Sequence, residues 1–151
     1  MPVYNSEKFV GESIQSLLDQ TYQDFELIIV DDGSTDSSAE IISGFKDSRI
    51  RVFKNDSNRG IVYSRNRGLS EIQGEFFAPF DSDDIARKDK FKKQVEFLEH
   101  HTDFALVGSW ARLIDQNGNL HKKHWKLDAK PEIIPSIMLF RNYFVHSSVL
   151  I

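Results

Sequence analysis

Two rhythms of apolar positions alternate along this chain. From Ser6 to about Gln20, Phe9, Val10, Ile14, Leu17 and Leu18 fall on one helical face, and Asn5 or Ser6 is placed to cap its start. Phe25-Glu26-Leu27-Ile28-Ile29-Val30 then reads as a buried strand, running straight into Asp31-Asp32-Gly33-Ser34-Thr35-Asp36. A second helix, Ser37 to Phe45, carries Ala39, Ile41, Ile42 and Phe45 as its stripe, and a second strand follows at Ile50 to Lys54. Asn55 to Gly60 is a loop by composition, and Ile61 to Ile72 is helical with Gly74 closing it.

The apolar run Phe76 to Phe80 predicts another buried strand, and Arg87 to His101 an amphipathic helix with Phe91, Val95 and Leu98 as its seam. Ala105 to Ile114 reads as a longer strand, and Asn117-Gly118 as a hairpin turn leading to Leu120–His124. Pro131 opens a short helix with Ile133, Ile134, Ile137 and Met138 on its apolar side, and the tail from Tyr143 to Ile151 is extended. No repeat, low-complexity tract or linker interrupts the pattern. Strands alternating with helices predict an α/β fold with a mostly parallel sheet flanked by helices. Ligands of such sheets bind outside the carboxyl ends of the strands. Two acidic turns follow strands directly, so they should share that edge.

The second turn, Asp81-Ser82-Asp83-Asp84, packs three carboxylates into four positions. Like charges so close repel and raise one another's pKa. A divalent cation such as Mn²⁺ or Mg²⁺ relieves this, since hard ions prefer carboxylate oxygen. If the strand geometry continues, Asp81 and Asp83 share a face and Asp84 takes the other, which suits two ligands for one ion that also holds a diphosphate. The plain alternative is an acidic turn with Asp84 capping the next helix.

Composition narrows the classes. The 151 residues suit one domain. The net charge of −4 and the dispersed basic residues disfavour a nucleic-acid partner. Without cysteine there is neither a disulfide framework nor a zinc–thiolate site. No apolar run reaches the ~18 residues of a membrane span, and no export signal opens the chain, which leaves the cytoplasm as the expected compartment.

Pro2-Val3-Tyr4-Asn5, Gln20-Thr21-Tyr22 with Phe25-Glu26, Val30-Asp31-Asp32-Gly33-Ser34-Thr35-Asp36, Ser64-Arg65-Asn66-Arg67-Gly68 and Asp81-Ser82-Asp83-Asp84 together resemble the family 2 glycosyltransferases. The resemblance runs in order over nearly the whole chain. It implies a GT-A-type fold and an inverting, metal-dependent transfer from a nucleotide-sugar, UDP-linked, to a saccharide or other hydroxyl acceptor, as in surface polysaccharide synthesis. It implies that Pro2 and Val3 line the base pocket through their backbone and that Tyr4 stacks on the base. Asp32 would accept the base's ring N–H, with Asp31 supporting the same turn. Arg65 would assist at the phosphates or base edge, or else form a salt bridge to Asp31 or Asp32. Asp81 would reach the ribose or the metal, and Asp83 would ligate Mn²⁺ or Mg²⁺. His146 resembles a position near the donor phosphates, though a lone histidine is more often structural. Asn66 suits a loop tie as well as a ligand contact. Trp110 and Trp125 read as packing residues, and Arg87 to Lys93 as a solvated helix face.

The chain departs from the family pattern at three points. Lys88 stands where proline is usual. The apolar strand that precedes the Pro-Val-Tyr-Asn motif in the family is reduced here to its last residue, which would leave a groove of unpaired backbone groups. The general base is expected beyond Ile151, since nothing after His146 is acidic and Asp115 and Asp128 lack the right context. This reads as the donor-binding portion of a longer enzyme, a single incomplete domain whose truncated edge could drive pairing between chains. Three rivals compete with it. A receiver-type signalling domain would need a lysine ending a later strand, and a nucleotidyltransferase a glycine-rich loop after the first; neither is present. A non-catalytic nucleotide-binding module stays open.

Overall fold

A computed structural model describes residues 1–125, 129–138 and 144–151. At its centre is β2 (Leu27–Asp31), every residue of which is buried, as a strand covered on both faces requires. It pairs in parallel with β1 (Pro2–Val3) on one side and β3 (Ile50–Lys54) on the other, in the register Val3↔Asp31 and Ile29↔Val52. β1 is longer than the expected single residue but still short, and its ladder extends only to the terminal amine, which donates to the Ile28 carbonyl at 2.7 Å. Burial lowers the pKa of that amine to about 5.

Helices α1 (Val10–Leu18), α2 (Ser38–Gly44) and α3 (Ile61–Ser70) flank the sheet. Val10, Ile14 and Leu17 pack with Val3, Ile29 and Ile42 into the main core, each such side chain contributing about 1.5–3 kcal/mol. α3 packs on β2 at Gly68, where a Cβ would lie in ordinary contact with Val30 and Ile28, at 3.6 and 3.8 Å.

The expected cap of α1 is not formed. Ser6 keeps its carbonyl for the Phe9 and Val10 N–H groups, but its hydroxyl donates to the Tyr4 carbonyl and meets Ser82 Oγ, so the helix starts at Val10. Helix α4 (Lys90–His100) likewise starts three residues after the predicted Arg87. The carbonyls of Arg87 and Lys88 are taken by Gln20 Nε2 and by the Thr21 N–H, which fasten this segment to the end of α1.

Phe76 to Phe80 joins no ladder of the three-stranded sheet. It is tied instead by a reciprocal backbone pair between Phe77 and Ile151, at 2.7 and 2.9 Å. A largely apolar cavity of about 970 Å³, lined by Met1, Pro2, Ile28, Phe76, Phe77 and Leu150 among others, lies between the segment and the sheet.

The predicted strand Ala105–Ile114 is two strands. β4 (Val107–Gly108) pairs antiparallel with β7 (Val149–Leu150), and β5 (Ala111–Ile114) with β6 (Leu120–Trp125) across the Asn117-Gly118 turn. Ser109, between them, gives its N–H and its hydroxyl to the Ser148 carbonyl at 3.0 and 3.1 Å, which holds the chain at the break. The helix expected at Pro131 is a 3₁₀ turn, Pro131–Ile133, continuing into α5 (Ile134–Met138). A second 3₁₀ turn, His146–Ser148, leads into β7. Asp128, the Ile137 side chain and the start of the tail at Tyr143 lie outside the described residues. Among the described residues no helix is long and apolar enough to cross a membrane.

Candidate functional site

The first acidic turn closes the carboxyl end of β2. Asp31 and Asp32 are both almost fully buried, at 2% and 3% exposure, yet they are used differently. Asp32 is saturated: Oδ1 accepts from Asn55 Nδ2 at 2.6 Å and from the Arg59 N–H at 3.0 Å, and Oδ2 from the Gly60 N–H at 2.8 Å. Burial pushes its carboxyl up, but the hydrogen bonds from Arg59, Asn55, Ser64 and Gly60 outweigh that and hold it below the ordinary carboxylate range. Asp31 Oδ1 accepts the Ser34 N–H at 2.9 Å, while its buried Oδ2 has no partner among the described residues. A buried carboxylate oxygen without a donor is costly, and a ligand N–H is the kind of group that would relieve it.

Gly33 makes this turn possible. Its φ is +73°, and a Cβ would come within 2.8 Å of the Ser57 backbone; both facts require glycine. Tyr4 is 46% exposed. The residue after it, Asn5, adopts a left-handed φ of +48°. Its side chain accepts from the Thr35 N–H at 2.8 Å, and its own N–H donates to Ser34 Oγ at 3.1 Å. The backbone that follows Tyr4 is therefore tied to the turn through Asn5. Val3 is buried, and its carbonyl accepts the Asp32 N–H at 2.8 Å, so its backbone oxygen is already used within the sheet.

The second turn sits beside the first. Ser6 links the second turn to the helix that follows the first: its N–H donates to Ser38 Oγ, at the start of α2, at 2.8 Å, and its hydroxyl lies 2.9 Å from Ser82 Oγ. Arg65, projecting from α3, donates Nη2 to Asp81 Oδ1 at 2.7 Å. Its ion pair is thus with Asp81, in place of the pairing with Asp31 or Asp32 weighed from sequence. Asp83 is exposed. Asp84 is half-buried; burial raises its pKa, and the neighbouring Asp83 and Asp81 add to the rise while the Ser147 hydroxyl opposes it.

No group of three or more His, Asp or Glu among the described residues could hold a metal ion by itself. The two carboxylates available, Asp81 and Asp83, fit an ion of the Mg²⁺ or Mn²⁺ kind, which binds through one or two carboxylates and completes its shell with phosphate oxygens and water. His146 opens its 3₁₀ turn along the wall of the apolar cavity. Trp110 and Trp125 stand at one end of the β5–β6 pair, 70% and 45% exposed. Asp115 accepts the N–H groups of Asn117 and Asn119 and the Asn119 side chain, the work of a hairpin turn.

Lys90 was not legible as part of this region. Sequence places it in a solvated run of charge, yet its ammonium is packed 5.2 Å from the centres of both the Phe80 and the Phe91 ring and donates to the Ser147 carbonyl at 2.6 Å. Burial lowers its pKa to about 8. Its period-matched position beside Phe91 was the available signal.

The model of glycosyl transferase family 2 matches residues 1–149. An uncharacterized glycosyltransferase of Haemophilus influenzae is 42% identical over 121 residues, which is 79% of this chain and 48% of that protein. The putative teichuronic acid biosynthesis glycosyltransferase TuaG of Bacillus subtilis is 39% identical over 110 residues, 71% of this chain and 44% of that protein. The chain spans about half the length of the curated relatives it matches. Among solved structures, residues 1–349 of Staphylococcus aureus TarS in complex with UDP superpose with a TM-score of 0.64 and 31% identity, covering 75% of this chain and 33% of that one. A TarS complex with UDP-GlcNAc matches with the same TM-score.

Proposed function

The chain belongs to glycosyltransferase family 2, and from that premise we propose that it forms the donor-binding part of a metal-dependent, inverting glycosyltransferase. The donor is a nucleotide-sugar, UDP-linked, and the acceptor a saccharide hydroxyl, as in the assembly of a surface polysaccharide. The observation that carries the reading is Asp31 Oδ2, a buried acceptor with no donor among the described residues, in the turn at the carboxyl end of β2 to which Asn5, next to the exposed Tyr4, is hydrogen-bonded. A pyrimidine offers what both lack: a ring N–H for the carboxylate and a flat face for the tyrosine. The solved TarS complexes with UDP and UDP-GlcNAc support that choice of nucleotide.

In this account Asp31 accepts the base N–H and Asp32 holds the 55–60 loop that walls the pocket. Pro2 and Val3 form its floor, Val3 by packing. Asp81 and Asp83 present their carboxylates to the divalent ion that accompanies the diphosphate, and Arg65 fixes the direction of Asp81. When bound, the ion supplies charge to stabilise the departing nucleoside diphosphate. The acceptor oxygen attacks the anomeric carbon, the bond from that carbon to the diphosphate oxygen breaks, and the electron pair leaves with the nucleotide. The acceptor proton passes to a general base, which we place outside residues 1–151.

Calorimetric titration with UDP tests this reading. UDP should bind more tightly with Mn²⁺ than without it, and Asp83→Ala should cost at least about tenfold, or about 1.4 kcal/mol, of the metal-dependent affinity. Binding indifferent both to the ion and to Asp83 would contradict it.

A further inference from the structure

The acidic turn does not stand by itself. Beneath it lies the 3₁₀ turn His146–Ser148, whose Ser147 and Ser148 are 8% and 5% exposed. Ser147 Oγ accepts the Asp81 N–H at 3.0 Å and hydrogen-bonds the Asp84 carboxylate, so one hydroxyl touches both ends of the turn. Across the turn itself the Asp84 N–H reaches the Asp81 carbonyl at 3.3 Å.

What fixes Ser147 comes from α4. Lys90 Nζ donates to the Ser147 carbonyl at 2.6 Å, and Gln94 Nε2, one turn on and 4% exposed, to the Ser148 carbonyl at 2.7 Å. Lys90 is itself gripped by the Phe80 and Phe91 rings. Phe80 immediately precedes Asp81, so the same lysine contacts the acidic turn's leading residue and its underlying support. Its charge also acts on the Asp84 carboxylate, as that of Arg65 does on Asp81. Lysine on the solvated face of the same helix does nothing comparable: Lys93 pairs with Asp89 at 2.6 Å and is 70% exposed.

We propose that Lys90 and Ser147 are positioning residues that hold the Asp81–Asp84 turn in the shape that presents Asp81 and Asp83 to the ion and diphosphate. The inference rests on the donor-site reading above. Residues behind the ligands of a metal site set their orientation, and their loss lowers metal affinity by about 10- to 100-fold. Neither residue touches the nucleoside pocket around Asp31 and Tyr4, so that pocket should be indifferent to them.

The test separates the two. Affinities for uridine, for UDP alone and for UDP with Mn²⁺ are measured on the protein, on Ser147→Ala, on Lys90→Met and on Lys93→Met, with thermal unfolding of each. Lys90→Met keeps the apolar stem between the two rings, which guards against a variant that simply unfolds; Lys93→Met removes the same charge from the same helix. The expected result is unchanged uridine binding throughout, with the gain from Mn²⁺ falling about 10-fold or more in Ser147→Ala and Lys90→Met and persisting in Lys93→Met. Folded Ser147→Ala and Lys90→Met proteins that keep the full gain would overturn the proposal, as would equal loss in Lys93→Met. Loss of uridine binding alongside the gain would reduce the role to general stability and overturn it too. If the unsubstituted protein shows no gain from Mn²⁺, the donor-site reading fails first and this inference with it.

Discussion

The two neighbouring carboxylates at the end of β2 show how much a single residue's surroundings decide. Asp31 and Asp32 are indistinguishable in sequence and equally buried, but one is fully hydrogen-bonded and the other keeps a free oxygen. The difference arises from Asn55, Arg59 and Gly60, more than twenty positions downstream, which no local pattern connects to Asp32. Gly33 was easier to read, because a tight acidic turn calls for glycine; the close approach of Ser57 that makes it obligatory was not. The Asp32 network has a pH signature. Its folded pKa lies below the value near 3.9 of an unfolded aspartate, so the unfolded chain binds the proton more readily. The stabilisation is therefore fully present above the unfolded value and is lost as the pH falls through the folded one. Asp32→Asn should be less stable than the parent at pH 7, with the gap narrowing as acid is added. Urea unfolding at pH 7 and at successively lower pH checks this; a gap that widens towards acid would refute it.

At the scale of elements, periodicity found most helices and missed their beginnings for one physical reason. Both α1 and α4 start late because the residues that should open them spend hydrogen-bonding groups on other elements: Ser6 its N–H on the second helix and its hydroxyl on the acidic turn, Arg87 and Lys88 their carbonyls on the end of α1. Gln20 is the hinge of the second arrangement. It is 1% exposed, donates to the Ser16 and Arg87 carbonyls, and accepts the Phe91 N–H at 3.0 Å. Gln20→Ala should cost about 2–3 kcal/mol, since it strands buried backbone groups at both helices. A denaturant midpoint displaced by less than about 0.5 kcal/mol would show that the junction is held by something else. The Phe76–Phe80 segment makes one reciprocal backbone pair, Phe77 with Ile151, and no longer ladder: a strand is a pairing, and its apolar sequence specifies only burial.

For the molecule as a whole, alternation of strand and helix was sufficient to predict a parallel sheet, and β1, β2 and β3 form one with the first acidic turn at the end of β2; the second acidic turn follows a segment outside that sheet. What alternation could not supply is the convergence of α3, α4 and the His146–Ser148 turn on the second acidic turn, because those contacts join residues up to 66 positions apart. The cavity beside Phe76–Phe80 has a mainly apolar lining, and a diphosphate belongs at the charged turns instead. The most direct measurement is an anomalous-difference map of crystals grown with UDP and Mn²⁺. The account predicts a manganese peak at coordinating distance from Asp83, with the uracil against Tyr4 and its ring N–H facing Asp31. Nucleotide lying in the apolar cavity, or a metal peak remote from Asp81 and Asp83, would contradict it.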